Sequence, residues 1–139
     1  MVYCVFVGSF RDKRLLQLAR EFHQRLQRLW PVSIQEIPEK EKTILKFVEE
    51  KSEKAILVSL DPHGETMDSA SFGRWVTSAS QDLCFIGWGA SGPPPKAVGS
   101  IAKKLSLSAM TYSHEIARVL LMEQLYRAGA TLRGHPYPH

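Results

Sequence analysis

Apolar runs rich in β-branched and aromatic residues recur along this chain at positions 2–7, 32–37, 55–60 and 83–88, with a shorter one near 105–109. Between the first two, Leu15, Ala19, Phe22, Leu26 and Leu29 return every three or four positions, while Lys13, Arg14, Arg20, Arg25 and Arg28 fill the remaining arc. That spacing is an amphipathic helix with a basic outer face. Pro31 stops it, and positions 39–51 repeat the pattern with Ile44, Leu45, Phe47 and Val48 inward. Strands that are apolar without alternation are buried on both faces, and strands alternating with helices close into a parallel sheet. The expected fold is therefore α/β, a mostly parallel sheet flanked by helices.

The 139 residues suffice for one domain with its own core, since folding at this size buries roughly 68% of the surface an unfolded chain exposes. No repeat or long linker divides the chain, and the densest Gly and Pro stretch, positions 87–95, reads as a loop. Asp61-Pro62-His63-Gly64 reads as a turn, and Asp68 or Ser69 as the cap of a short helix carrying Phe72, Trp75, Val76 and Ala79. The opening apolar run is too short to span a bilayer and follows no basic residue, so neither a membrane segment nor a signal peptide is expected. With Cys4 and Cys84 as the only thiols, a cytoplasmic location is expected. Eighteen basic against fourteen acidic residues give a net charge of +4, a mild bias toward anionic partners.

The last helix, about residues 114–128, carries Ile116, Val119, Leu120, Leu121, Met122, Leu125 and Tyr126 around nearly its whole circumference. One sheet covers one side of such a helix, so a second subunit is expected on the other, a central position in the monomer being the alternative. Glu123 and Arg127, four apart, share a face and are placed to pair or to meet a ligand.

Gly87-Trp88-Gly89-Ala90-Ser91-Gly92 fits G-x-G-x-x-G, but it follows the fourth strand, three prolines stand where a phosphate-binding helix would begin, and the acidic residue at the right distance, Glu115, lies at a helix start. A dinucleotide-binding oxidoreductase is thus a weak reading, although glycines at the end of a parallel strand suit close approach to some ligand. No helical stretch carries two histidines four residues apart, His135 and His139 being separated by prolines, and no C-x-x-C occurs, so no metal site is expected. A G-x-S-x-G elbow and a Walker loop are also missing from the sequence.

The run LSLSAMTYSHEIARVLLMEQLYRAGATLRGHPYPH, from Leu105 to His139, resembles the C-terminal signature of the ribosomal large-subunit RNA methyltransferase H family, of the SPOUT class. Members of that family read much like LSLSxxTxxHxxxRxxLxEQxYRA followed by HPYH. VSLDPHG, from Val58 to Gly64, the Val7-Gly8 strand end and the Gly87 loop extend the resemblance over the rest of the chain.

The resemblance implies a C-terminal trefoil knot, a homodimer, and transfer of a methyl group from S-adenosyl-methionine to ring nitrogen 3 of a pseudouridine in the assembled ribosome's large-subunit RNA. By position it implies cofactor contacts from Leu60, Gly87 and the backbone of Leu107, Ser108, Ala109, Met110, Thr111 and Tyr112. Catalytic roles fall to Glu123, Arg127 and His114, with Arg127 stabilising charge and orienting Glu123 and His114 accepting a proton or touching the base. Substrate contacts fall to Arg118, His135, Tyr137 and His139. Trp88 between the loop glycines, and Pro138 before the terminal histidine, depart from the family pattern. They motivate the alternative of a catalytically impaired relative that binds cofactor or ribosome.

Overall fold

The structure is a computed structural model that describes residues 1–137. Strands β1 (Val2–Val7), β2 (Val32–Ile37), β3 (Ile56–Thr66), β4 (Leu83–Gly87) and β5 (Lys103–Ser106) form one sheet in the order β2-β1-β4-β3-β5, with every pairing parallel. Helices α1 (Lys13–Leu29), α2 (Glu41–Ser52), α3 (Ser69–Ser78) and α4 (His114–Leu132) connect and follow the strands, and a 3₁₀ turn (Pro95–Ser100) precedes β5. Among the described residues no helix is long and apolar enough to cross a membrane.

Alternation along each strand divides the core. Cys4, Phe6 and Phe85 face α1, α3 and α4, whereas Val5, Val7, Cys84 and Ile86 face α2 and the 3₁₀ turn. The two cysteines thus lie on opposite faces of the sheet; burial pushes both thiols up, Cys84 to about 12, and they act as packing residues. Asp12 caps α1 by accepting the Arg14 N–H at 2.9 Å, and Asp68 caps α3 by accepting that of Ser71 at 2.7 Å.

Three expectations require correction. Asp61–Gly64 does not end the third strand. Those residues loop out of β3 and the strand resumes, so that Leu60 and Glu65 both pair with Leu105 and Thr66 pairs with Ser106. The loop does keep turn chemistry, the Asp61 carboxylate accepting the His63 N–H at 2.8 Å. The last strand begins two residues earlier than the apolar pattern suggests, because Lys103 and Lys104 sit on the sheet edge, where charge is tolerated. Residues 107–109 are thereby freed for a loop.

Helix α4 extends to Leu132, past its expected end at position 128. Gly129 and Ala130 pack instead of stopping it: a Cβ on Gly129 would lie 3.4 Å from the Cβ atoms of Leu29 and Trp30, so α1 and α4 are in close contact there. Gly134, at φ +65°, ends the helix with the His135 N–H donating to the Ala130 carbonyl. Helices α1 and α3 flank α4 over the sheet, burying Val119, Leu121, Met122, Leu125 and Tyr126 within one chain. The all-round apolarity of α4 therefore does not by itself require a second subunit. Exposed large apolar side chains are instead at its two ends, Ile116 and Leu132, and beside its start, Met110 and Tyr112.

Candidate functional site

In a parallel sheet all strands run to the same side, and there the interruption of β3 after Leu60 and the ends of β4 and β5 enclose a cleft of about 430 Å³. That volume lies in the range of small-molecule sites. Its floor is Gly87 and Trp88; Leu60, Asp61 and Pro62 form one wall, Gly89 to Pro93 the rim, and the loop from Leu107 with the first turn of α4 the other wall.

Local sequence accounts for each part. A Cβ on Gly87 would stand 2.9 Å from the Phe6 ring, so only glycine fits between β1 and the cleft. Trp88, which interrupts the glycines, turns its indole into the core, where Nε1–H donates to Ser59 Oγ at 2.6 Å. The glycines on either side remain at the cleft. Ser106 Oγ donates to the Ser108 carbonyl at 2.7 Å and Ser108 Oγ accepts the Met110 N–H at 2.8 Å, so the loop after β5 is held by its own serines. Ser113 then caps α4 by accepting the Ile116 N–H.

Of the expected cofactor residues, Leu60, Gly87, Leu107, Ser108, Met110 and Tyr112 line this one cleft. Ala109 and Thr111 belong to the same loop but are exposed and outside the lining. His114 lines the cleft at the start of α4. The lining suits a flat heterocycle: Leu60, Leu105, Leu107 and Met110 offer apolar walls for the ring, and the loop backbone of residues 107–112, outside any ladder or helix, offers donors and acceptors to its edge.

Glu123 and Arg127 lie elsewhere. Arg127 Nη2 donates to Glu123 Oε1 at 2.6 Å, and the Tyr137 hydroxyl reaches the same oxygen at 3.3 Å. Tyr137 stacks edge-on against Tyr126 and lies 5.1 Å from the Arg127 guanidinium; burial and the Glu123 carboxylate both push its hydroxyl up. Arg127, His135, Tyr137 and Arg74 line a second, wider groove of about 880 Å³ between α3, α4 and the tail. At 1.5 Å per residue, Glu123 and Arg127 stand about 13 Å and about 20 Å along α4 from His114. One chain does not bring the three expected catalytic residues together.

Arg118 requires correction as a substrate contact, because it is 0% exposed. Its Nη2 donates to the Val7 carbonyl at 2.6 Å and Nη1 to the Gly8 carbonyl at 2.9 Å, with Phe6 and Phe10 at 5.2 and 5.1 Å from the guanidinium. It fastens α4 to the end of β1. Burial lowers its pKa, and Glu36, Glu115 and Glu39 oppose that shift. Glu115, the acidic residue of the weak dinucleotide reading, accepts the Arg11 and Asp12 N–H groups at 2.8 and 3.1 Å, and a 3₁₀ turn replaces the helix that reading needs. His139 lies outside the described residues. Among the described residues no group of three His, Cys, Asp or Glu is arranged for a metal ion.

A family model described as a predicted SPOUT methyltransferase matches residues 1–139. A ribosomal RNA large subunit methyltransferase H from Gemmatimonas aurantiaca is 33% identical over 150 residues, covering 98% of this chain and 97% of that protein. A probable methylase family protein from Haemophilus influenzae superposes with a TM-score of 0.63 at 9% identity, over 99% of this chain and 72% of that one. The SpoU methyltransferase AviRb from Streptomyces viridochromogenes, solved with AdoMet, gives 0.55 at 12% identity, over 96% of this chain and 58% of that one. At such identities the two solved structures establish the fold alone.

Proposed function

Because the chain belongs to the SPOUT methyltransferase family, we propose that it methylates ring nitrogen 3 of a pseudouridine in large-subunit ribosomal RNA, using S-adenosyl-methionine. The observation that carries this reading is the convergence of Leu60, Gly87 and the loop after β5, separate in sequence, on a single cleft. The Gemmatimonas relative's name supplies the substrate class, and the AdoMet bound to AviRb supports the cofactor.

Bound S-adenosyl-methionine supplies a methyl group already activated on a sulfonium, so the chain has mainly to orient, dry and deprotonate. The loop backbone reads the adenine edge while Leu60, Leu107 and Met110 enclose its faces. His114, at the cleft wall, accepts the proton that leaves ring nitrogen 3 as the new N–C bond forms. Arg127, held by Glu123, offsets negative charge on the base.

Since one chain separates His114 from Arg127, the working unit in this reading is a homodimer in which one protomer's second groove completes its partner's cleft. Exposed Met110, Tyr112 and Ile116 at the cleft edge are apolar surface for that contact. The chain is also expected to be threaded as a trefoil knot, to act in the cytoplasm and to recognise its RNA by the shape of the assembled ribosome.

Labelled S-adenosyl-methionine incubated with ribosomes from a strain lacking the protein is expected to yield methylpseudouridine, identified by mass spectrometry, whereas a short isolated RNA is a poor acceptor. Efficient methylation of the fragment would overturn the shape requirement. Cofactor binding without transfer to ribosomes would favour a non-enzymatic binding factor.

Arg127→Ala is expected to lower turnover by about a hundredfold while leaving cofactor affinity within about twofold, and an equal loss of both would refute its assigned role. Mixed with inactive His114→Ala, it is expected to regain roughly a quarter of wild-type activity, since half the dimers then hold one intact composite site. Absence of rescue would place both residues on one site within a protomer.

A further inference from the structure

Among the described residues, the side chains lining the cleft include a single carboxylate, Asp61, and no lysine or arginine. Asp61 is half-buried at the end of the first β3 segment, and its Oδ1 accepts the His63 N–H at 2.8 Å. Among the described residues no cation lies within ion-pair distance of it. An ionised carboxylate fixed in the wall of a mostly apolar cleft favours a positive charge brought in beside it, and more strongly as water is displaced.

The consequence rests on the cofactor reading given above. The methyl donor and its product carry the same adenosine, α-amino and α-carboxylate groups and differ at sulfur, which is a cationic sulfonium before transfer and a neutral thioether after it. We propose that Asp61 is the residue by which this cleft distinguishes the two, holding the cationic donor more tightly than the neutral product. As the S–CH₃ bond breaks and the N–CH₃ bond forms, the positive charge that Asp61 attracts leaves the sulfur. Transfer therefore weakens the hold on the spent cofactor, and the cleft resists inhibition by it.

The test is calorimetric binding of S-adenosyl-methionine and S-adenosyl-homocysteine to the full chain and to Asp61→Asn. Asparagine keeps the Oδ1 that accepts the His63 N–H, so the turn is preserved while the charge is removed. Loss of roughly tenfold in affinity for S-adenosyl-methionine, with S-adenosyl-homocysteine within about twofold, is the expected result. The donor's carbon analogue, with an amine in place of the sulfonium, is cationic but carries no transferable methyl, and is expected to follow the donor. Equal weakening of both natural ligands, or of neither, overturns the assignment. Failure of the wild-type chain to bind either overturns the cofactor reading, and the assignment with it.

Discussion

Replacing Arg118 by methionine is expected to cost about 3 kcal/mol of stability, read as a lowered urea midpoint with unchanged slope. The side chain is wholly buried, and its two terminal nitrogens are the donors to the Val7 and Gly8 carbonyls where β1 ends. Methionine fills much of the space between Phe6 and Phe10 but donates nothing, so two carbonyls lose charge-assisted partners in a dry setting. Lysine is expected to recover only part of the loss, because its compact ammonium cannot reproduce the planar fork that spans both oxygens. Arg118 also packs under Gly87, its Cγ 3.6 Å from where a Cβ would stand, so the variant should bind S-adenosyl-methionine more weakly as well. Full recovery by lysine would mean that charge alone matters at this position.

Gly64→Ala is the second large effect. A Cβ there would sit 2.6 Å from the Lys104 carbonyl carbon, 2.7 Å from its oxygen and 2.8 Å from the Leu105 nitrogen. Those neighbours are backbone and cannot turn aside as a side chain would. The segment after Asp61 must lift off β5, breaking the Glu65–Leu105 and Thr66–Ser106 pairings and loosening the Lys103–Glu65 ion pair of 2.8 Å. A loss of about 2–3 kcal/mol is expected, with at least about tenfold weaker binding of S-adenosyl-methionine because the Asp61–Pro62 wall moves. Gly99→Ala, where a Cβ meets nothing within 4 Å, is the matched control and should leave both quantities unchanged. Wild-type behaviour of Gly64→Ala would show that the segment after Asp61 is not held by this contact.

Strand β1 is legible to the residue because its apolar run ends at Gly8, and β2 because Pro31 and Pro38 bound it, and the boundaries coincide with Val2–Val7 and Val32–Ile37. The last strand is less legible, since an edge strand tolerates Lys103 and Lys104 and so lacks the apolar signature that marked the others. The pairing of Glu123 with Arg127 follows from helical periodicity, but their distance from the cleft does not, because it depends on how α4 lies over the sheet. Arg118 was placed among the substrate contacts only by its position in the family motif. Its burial is set by Phe6 and Phe10, more than a hundred residues earlier in the chain. That Leu60, Gly87 and the loop from Leu107 belong to one site was suggested only by family resemblance, whereas composition and spacing alone reached only the glycine loop. Asp61 was passed over because its sequence context, an aspartate before proline, is that of any turn; what sets it apart is that, among the described residues, no other carboxylate and no lysine or arginine lines the cleft.

Trp88 turns this architecture to practical use. Its indole is 6% exposed, tied to Ser59 beneath the cleft, and still part of the cleft floor. The other tryptophans stand away from that floor, Trp30 at the end of α1 and Trp75 on α3 under the Lys103 ammonium. The molecule thus carries a native fluorophore directly beneath the cleft, and filling of the site is expected to change the emission of the unlabelled chain, with Trp88→Phe, which retains only Trp30 and Trp75, as the reference that should not respond.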